Sequence, residues 1–121
     1  MSTFNISHNP IGPEGAQAIC TSKTLFRFVV DLDFSYCLIE SDGSGYVGSA
    51  IRSLRTLKKL NLSGNNLGSY GCGIFGYKGL EGNCSLETLI LESNDIGDQG
   101  AAGLARGLGS HPSLLYLSLY D

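Results

Sequence analysis

The sequence contains no run approaching the roughly 18 apolar residues that a membrane span needs. Its opening stretch, MSTFNISHNP, lacks the basic and apolar regions of a secretory signal. Both absences lead us to expect a soluble, cytoplasmic protein. There is no surplus of positive charge either: eight lysines and arginines stand against eleven acids, for a net charge of −3. Nucleic acid and anionic membrane are therefore not expected as partners. Cys20, Cys37, Cys72 and Cys84 include no C-x-x-C pair and have no histidine at ligand spacing. No metal, zinc included, and no redox dithiol is expected, and the thiols should be free. No Walker-type phosphate loop occurs, so no cofactor is expected from that source.

What the sequence does have is a period. FNISHNPIGPEG from Phe4, VVDLDFSYCLIESDG from Val29, LKKLNLSGNNLGSYG from Leu57 and LETLILESNDIGDQG from Leu86 line up, and LLYLSLYD begins a fifth unit. The anchor residues Asn9, Cys37, Asn65 and Asn94 fall 28, 28 and 29 apart. Such a spacing is that of a solenoid, in which each coil buries its apolar side against its neighbours. The expected organisation is a single domain over 1–121, with repeats at approximately 1–28, 29–56, 57–85 and 86–113 and a truncated fifth strand at 114–121.

Within a unit, alternating apolar residues such as Leu60/Leu62 and Leu89/Leu91 predict a short strand with one side inward. The anchor Asn then offers an amide to backbone groups where the chain turns away. Gly15, Gly43, Gly71 and Gly100 follow at one phase, and helix-like stripes come next: Ala18/Ile19, Val47/Ala50/Ile51, Ile74/Phe75 and Leu104/Leu108. In the third unit Gly73, Gly76, Gly79 and Gly82 interrupt this half, and one residue is extra. Each interior Gly costs roughly 1 kcal/mol of helix relative to Ala, so that helix should be short or irregular.

These motifs, L-x-x-L-x-L-x-x-N/C-x-L followed by a helical half such as IGDQGAAGLARGL (Ile96–Leu108), resemble the ribonuclease-inhibitor-like class of leucine-rich repeats. The resemblance covers nearly the whole chain. It implies an α/β right-handed superhelix with a parallel sheet on the concave face and helices on the convex face. It also implies a non-catalytic protein-binding role.

GSGYVG (Gly43–Gly48) and GCGIFG (Gly71–Gly76) both spell the G-x-G-x-x-G of a dinucleotide loop, and Glu92 sits where a ribose-binding acid would. The segment between Leu62 and Gly71 is too long for that turn, however. The first Gly of each match is simply the repeat Gly, shared with Gly15 and Gly100. The second and third fall on Gln17/Ala102 and Cys20/Ala105 elsewhere, which reads as close helix packing.

Recognition is expected on the outward strand columns: Thr3, Asp31, Lys59, Thr88, Tyr116; then Asn5, Asp33, Asn61, Ile90, Ser118; then Ser7, Ser35, Ser63, Glu92, Tyr120. His8, Tyr36, Gly64, Ser93 and Asp121 flank them. The candidate partner-binding residues are Asp31, Asp33, Tyr36, Lys59, Asn61, Ile90, Glu92, Tyr116 and Tyr120, with tyrosine favoured at interfaces. Arg52, Arg55, Lys58 and Lys59 read as a solvated helix face. His8 and His111 belong to different sides of the coil, so no catalytic pair is formed. A regulator of a small GTPase is the alternative to a general binding module, and a structural piece of a longer scaffold is a third reading. Neither end carries a polar cap, which leads us to expect either further repeats or self-association through the ends.

Overall fold

The computed structural model describes residues 3–22, 24, 26–109 and 111–120. Five strands of three residues each, β1 (Thr3–Asn5), β2 (Asp31–Asp33), β3 (Lys59–Asn61), β4 (Thr88–Ile90) and β5 (Tyr116–Ser118), pair in parallel and in chain order. Between them run α1 (Gly12–Cys20), α2 (Glu40–Arg52), α3 (Gly68–Phe75) and α4 (Gly97–Leu108). The result is the α/β solenoid expected from the repeat.

The strands form because every second residue has a buried place to go. Leu32, Leu60 and Leu89 point inward at 1%, 0% and 0% exposure, and their register partners hold one another in a row. Phe34, Leu62 and Leu91 make a second buried row, and Ile39, Leu67 and Ile96 a third. Each fully buried side chain contributes roughly 1.5–3 kcal/mol. From the helix side Val47, Ile51, Phe75, Leu80 and Leu104 close over this core. Ala18, expected on the buried stripe of α1, is exposed; Ala16 takes that place, because the helix begins at Gly12 and turns Ala16 toward the sheet. In the first coils Phe4, Phe26 and Phe34 meet edge to face with ring centroids 6.2 to 6.3 Å apart.

The turn from strand to helix follows one path in the second, third and fourth coils. Its backbone visits the left-handed region on alternate residues: Tyr36, Leu38 and Glu40 in the second coil, Gly64, Asn66 and Gly68 in the third, Ser93, Asp95 and Gly97 in the fourth. In the first coil Pro10 stands at the middle position, between His8 and Gly12. Among the described residues none of α1 to α4 has a side-chain N-cap. The next coil does that work: Gly12, Glu40 and Gly68 donate their N–H to the carbonyls of Cys37, Asn65 and Asn94.

The anchor asparagines complete the brace. Asn65, wholly buried, accepts from the backbone N–H of Cys37 (2.9 Å) and Ile39 (3.2 Å) with Oδ1, and donates through Nδ2 to the carbonyls of Phe34, Leu62 and Ser63. Asn94 repeats the pattern on Asn65, Leu67, Leu62, Leu91 and Glu92. Cys37 keeps only a weak version, its Sγ donating to the carbonyl of Ile6 at 3.2 Å. Burial raises its pKa, while backbone N–H groups of Asn9 and His8 pull it back.

A second ladder lies at the return from helix to strand. Thr56, Ser85 and Ser113 each donate a hydroxyl to a carbonyl of the preceding coil, on Val29, Leu57 and Leu86.

The third coil absorbs its extra residue as one π turn, Gly76–Leu80, directly after the eight residues of α3. The short, irregular helix expected there is what forms. Arg52 braces it, donating to the carbonyls of Tyr77 and Lys78 at 3.4 and 3.3 Å. That corrects the reading of Arg52 and Arg55 as one solvated helix face: α2 stops at Arg52, and Arg55 lies beyond it. The glycines let neighbouring helices touch through backbone. A Cβ on Gly76 would stand 2.6 Å from the carbonyl oxygen of Gly103, and one on Gly79 would stand 2.9 Å from Cα of Gly48. Both copies of the dinucleotide fingerprint therefore lie inside helices rather than in a loop.

Candidate functional site

The parallel register carries the outward residues into straight columns. Thr3, Asp31, Lys59, Thr88 and Tyr116 are register partners, as are Asn5, Asp33, Asn61, Ile90 and Ser118. Backbone bonds from His8 to Ser35, Tyr36 to Ser63, Gly64 to Glu92 and Ser93 to Tyr120 extend the alignment past the strands, so Ser7, Ser35, Ser63, Glu92 and Tyr120 form the third column. The expected columns are thus aligned, but Ser35 and Ser63 of the third column are buried rather than facing outward, because they lie where the chain already turns from strand toward helix. Asp121 lies outside the described residues.

The candidate residues differ in what else they do. Asp33 Oδ1 accepts from both the N–H (2.9 Å) and the hydroxyl (2.7 Å) of Ser35, and Asn61 Oδ1 accepts from the N–H of Ser63 at 3.0 Å. These two side chains shape the start of the turn, as Asn5 does for Ser7. The Glu92 carboxylate accepts the hydroxyl of Ser118. Asp31 and Ile90 are half-buried, and Lys59 is exposed. Tyr116 and Tyr120 stand 56% and 79% exposed on the C-terminal side.

Tyr36 is placed at the rim, not on the strand. Its ring stacks on His8, centroids 4.9 Å apart and planes within 10°, and occupies the space that a side chain at Gly64 would need. Beside it the Ser63 hydroxyl is buried and, among the described residues, is the one such side-chain group without a hydrogen-bond partner.

The sequence reading missed Leu38. It is 49% exposed and holds a left-handed backbone at φ 57°. The position two residues past the flanking column could have drawn attention to it, since its counterparts are Pro10, Asn66 and Asp95.

Nucleophile chemistry finds little support in the remaining groups. His111, in the return loop, meets Asn83 Oδ1 at 3.2 Å, and burial lowers its pKa. His8 sits at the opposite turn on Tyr36. Burial pushes the Cys20 thiol up to about 12, which keeps it protonated and weakly nucleophilic. Cys20 lines an open cavity of about 520 Å³ with Phe26, Ser49, Ser53 and Leu54, away from the strand columns. Among the described residues no group of three metal-ligating side chains converges, and no helix is long and apolar enough to cross a membrane.

With this geometry in hand, the family model "Leucine Rich repeat" matches residues 1–20, 53–73 and 82–105, more than half of the chain. The chain is a leucine-rich repeat protein. Its likeness to ribonuclease inhibitor of Sus scrofa, 28% identity over 96% of this chain and 26% of that protein, places it in the ribonuclease-inhibitor-like class. It is also similar to NACHT, LRR and PYD domains-containing protein 4E of Mus musculus (26% identity, 100% of this chain, 12% of that one). Leucine-rich repeat-containing protein 45 of Gallus gallus is 36% identical over 69% of this chain and 12% of its own length. This leucine-rich repeat chain thus spans about a quarter or less of these curated relatives. A solved chain of Leiomodin-1 Actin-Binding Site 2 (ABS2) shares the fold, with a TM-score of 0.79 at 17% identity, covering 100% of this chain and 71% of that one.

Proposed function

We propose that this leucine-rich repeat chain is a non-catalytic interaction module that binds another protein through its concave strand columns and the adjoining turns. The observation that carries this reading is the outward columns, held in register and ending in the exposed Tyr116 and Tyr120. Tyrosine supplies large contact area at small entropic cost, and a rigid sheet presents it without rearrangement. The repeat family supports the same reading, since solenoids of this kind offer extended concave surfaces. No observation favours regulation of a GTPase over binding in general.

The test replaces candidate residues by those their own counterparts use: Asp33→Asn as at Asn61, Tyr116→Thr as at Thr88, Tyr120→Ser as at Ser63. Each substitution is compatible with its strand position, so the fold is retained. A protein partner captured by the wild type and lost by the triple variant supports the concave site. A partner held equally well by both sinks it.

A further inference from the structure

Charge is divided between the two rims of the solenoid. The segments running from strand exit through the first helical turn, 6–15, 34–43, 62–71 and 91–100, hold Glu14, Glu40, Asp42, Glu92, Asp95 and Asp98 and no lysine or arginine. All eight lysines and arginines fall in the other part of the coils. Glu14, Glu40, Asp42 and Asp98 stand in first helical turns, where they also complement the helix dipole. Glu92 instead accepts the hydroxyl of Ser118.

On this acidic rim the second coil breaks the local rules. Leu38 is apolar, half-exposed and left-handed, a conformation unfavourable for leucine, at a position where the other coils use Pro, Asn and Asp. Glu40 is left-handed where the other coils use Gly12, Gly68 and Gly97. Leu38 gives the turn no conformational advantage, and Glu40 complements the helix dipole only at the cost of a left-handed backbone. Leu38 and the Tyr36 ring, 47% exposed, form an apolar knob on the strand-exit rim that also carries Glu40, Asp42 and Glu92. Ser63, whose buried hydroxyl has no hydrogen-bond partner, accepts the backbone N–H of Tyr36 through its carbonyl.

We propose that the Tyr36–Leu38 knob and the acidic rim around it dock a basic segment of a protein partner, one that sets an apolar side chain between lysines or arginines. The apolar side chain covers Leu38 and the edge of Tyr36, while the cations meet Glu40, Asp42 and Glu92. An acidic segment meets like charge along this rim. This proposal rests on the protein-binding reading above and names the edge and the partner chemistry.

The probe is a short fluorescein-labelled peptide of alternating arginine and leucine, with its glutamate–leucine counterpart as control, followed by fluorescence anisotropy on the whole chain. The arginine peptide binds, more weakly as salt rises, and the glutamate peptide does not. The variant L38G/E40G gives both positions the residue their backbone prefers, so it folds at least as well, yet it binds roughly tenfold more weakly. The control variant E81Q/E87Q, which removes two carboxylates from the other rim where L38G/E40G removes one, binds as the wild type does. Equal binding by L38G/E40G and wild type, equal loss in E81Q/E87Q, or binding of the glutamate peptide overturns the proposal. None of these results touches the concave triple variant, which tests the broader reading separately.

Discussion

The turns after β2 and β3 follow one backbone path with opposite sequences. Residues 36, 38 and 40 are Tyr, Leu and Glu; residues 64, 66 and 68 are Gly, Asn and Gly, and all six have φ between 56° and 68°. The third-coil turn is written in residues that tolerate the left-handed region. The second-coil turn is held there from outside, by Asn65, whose amide reaches back to Cys37 and Ile39, and by the carbonyl of Asn65, which accepts from Glu40. A repeat can therefore impose a conformation on a sequence that does not favour it, provided the neighbouring coil supplies the hydrogen bonds. The freedom so gained exposes Tyr36 and Leu38 on the rim.

Removing the shared brace has the largest effect. Asn65→Ala leaves buried backbone donors and acceptors of both coils unpaired, and a loss of about 4 kcal/mol is expected in urea unfolding. Hydrogen exchange at Cys37 and Ile39, whose N–H groups lose their acceptor, should accelerate far more than at Leu89 in the following coil. Gly64→Ala comes next: a Cβ there collides with the Tyr36 ring on a positive-φ backbone, for a cost of roughly 2 kcal/mol. The His8 ring protons then lose the upfield NMR shift that stacking on Tyr36 gives them.

Exchanging the middle residues sharpens the comparison. Leu38→Gly should stabilise by about 0.5–1 kcal/mol and Asn66→Leu destabilise by about the same, because the left-handed region penalises leucine. Equal and opposite shifts in urea midpoint would confirm that the two turns differ in sequence alone; a loss from Leu38→Gly would mean that Leu38 packs in a way its exposure does not reveal. The smallest effect belongs to the opposite rim. Burial lowers the pKa of His111 from its ordinary 6.5, so the unfolded chain binds the proton more readily. The contribution is present above about pH 6.5 and is lost as pH falls below it. His111→Gln should flatten stability across that range, measured by thermal melts at a series of pH values, while leaving both strand-exit turns unchanged.

The columns of the concave face were legible before any coordinates, because a period of two along each strand and of 28 or 29 between strands leaves one register that buries Leu32, Leu60 and Leu89 together. The irregular third helix was legible as well, from its glycines and its extra residue. Ala18 was misplaced, since a helix start shifted by a residue or two rotates the buried stripe. Arg52 was misread, because its partners are carbonyls freed by a π turn some 25 residues away in sequence. Leu38 passed unnoticed: nothing local distinguishes an apolar residue after a strand from one bound for the core.

By itself, then, the sequence determined the repeat, the strand register, the buried rows and the division of charge between the rims, all of which follow from spacing and side-chain type. Only the tertiary structure decided which residues are held left-handed, where Tyr36 lies, that Arg52 braces its neighbour and that Leu38 faces water. Those outcomes depend on hydrogen bonds and contacts supplied by the next coil, and no short stretch of chain contains both partners.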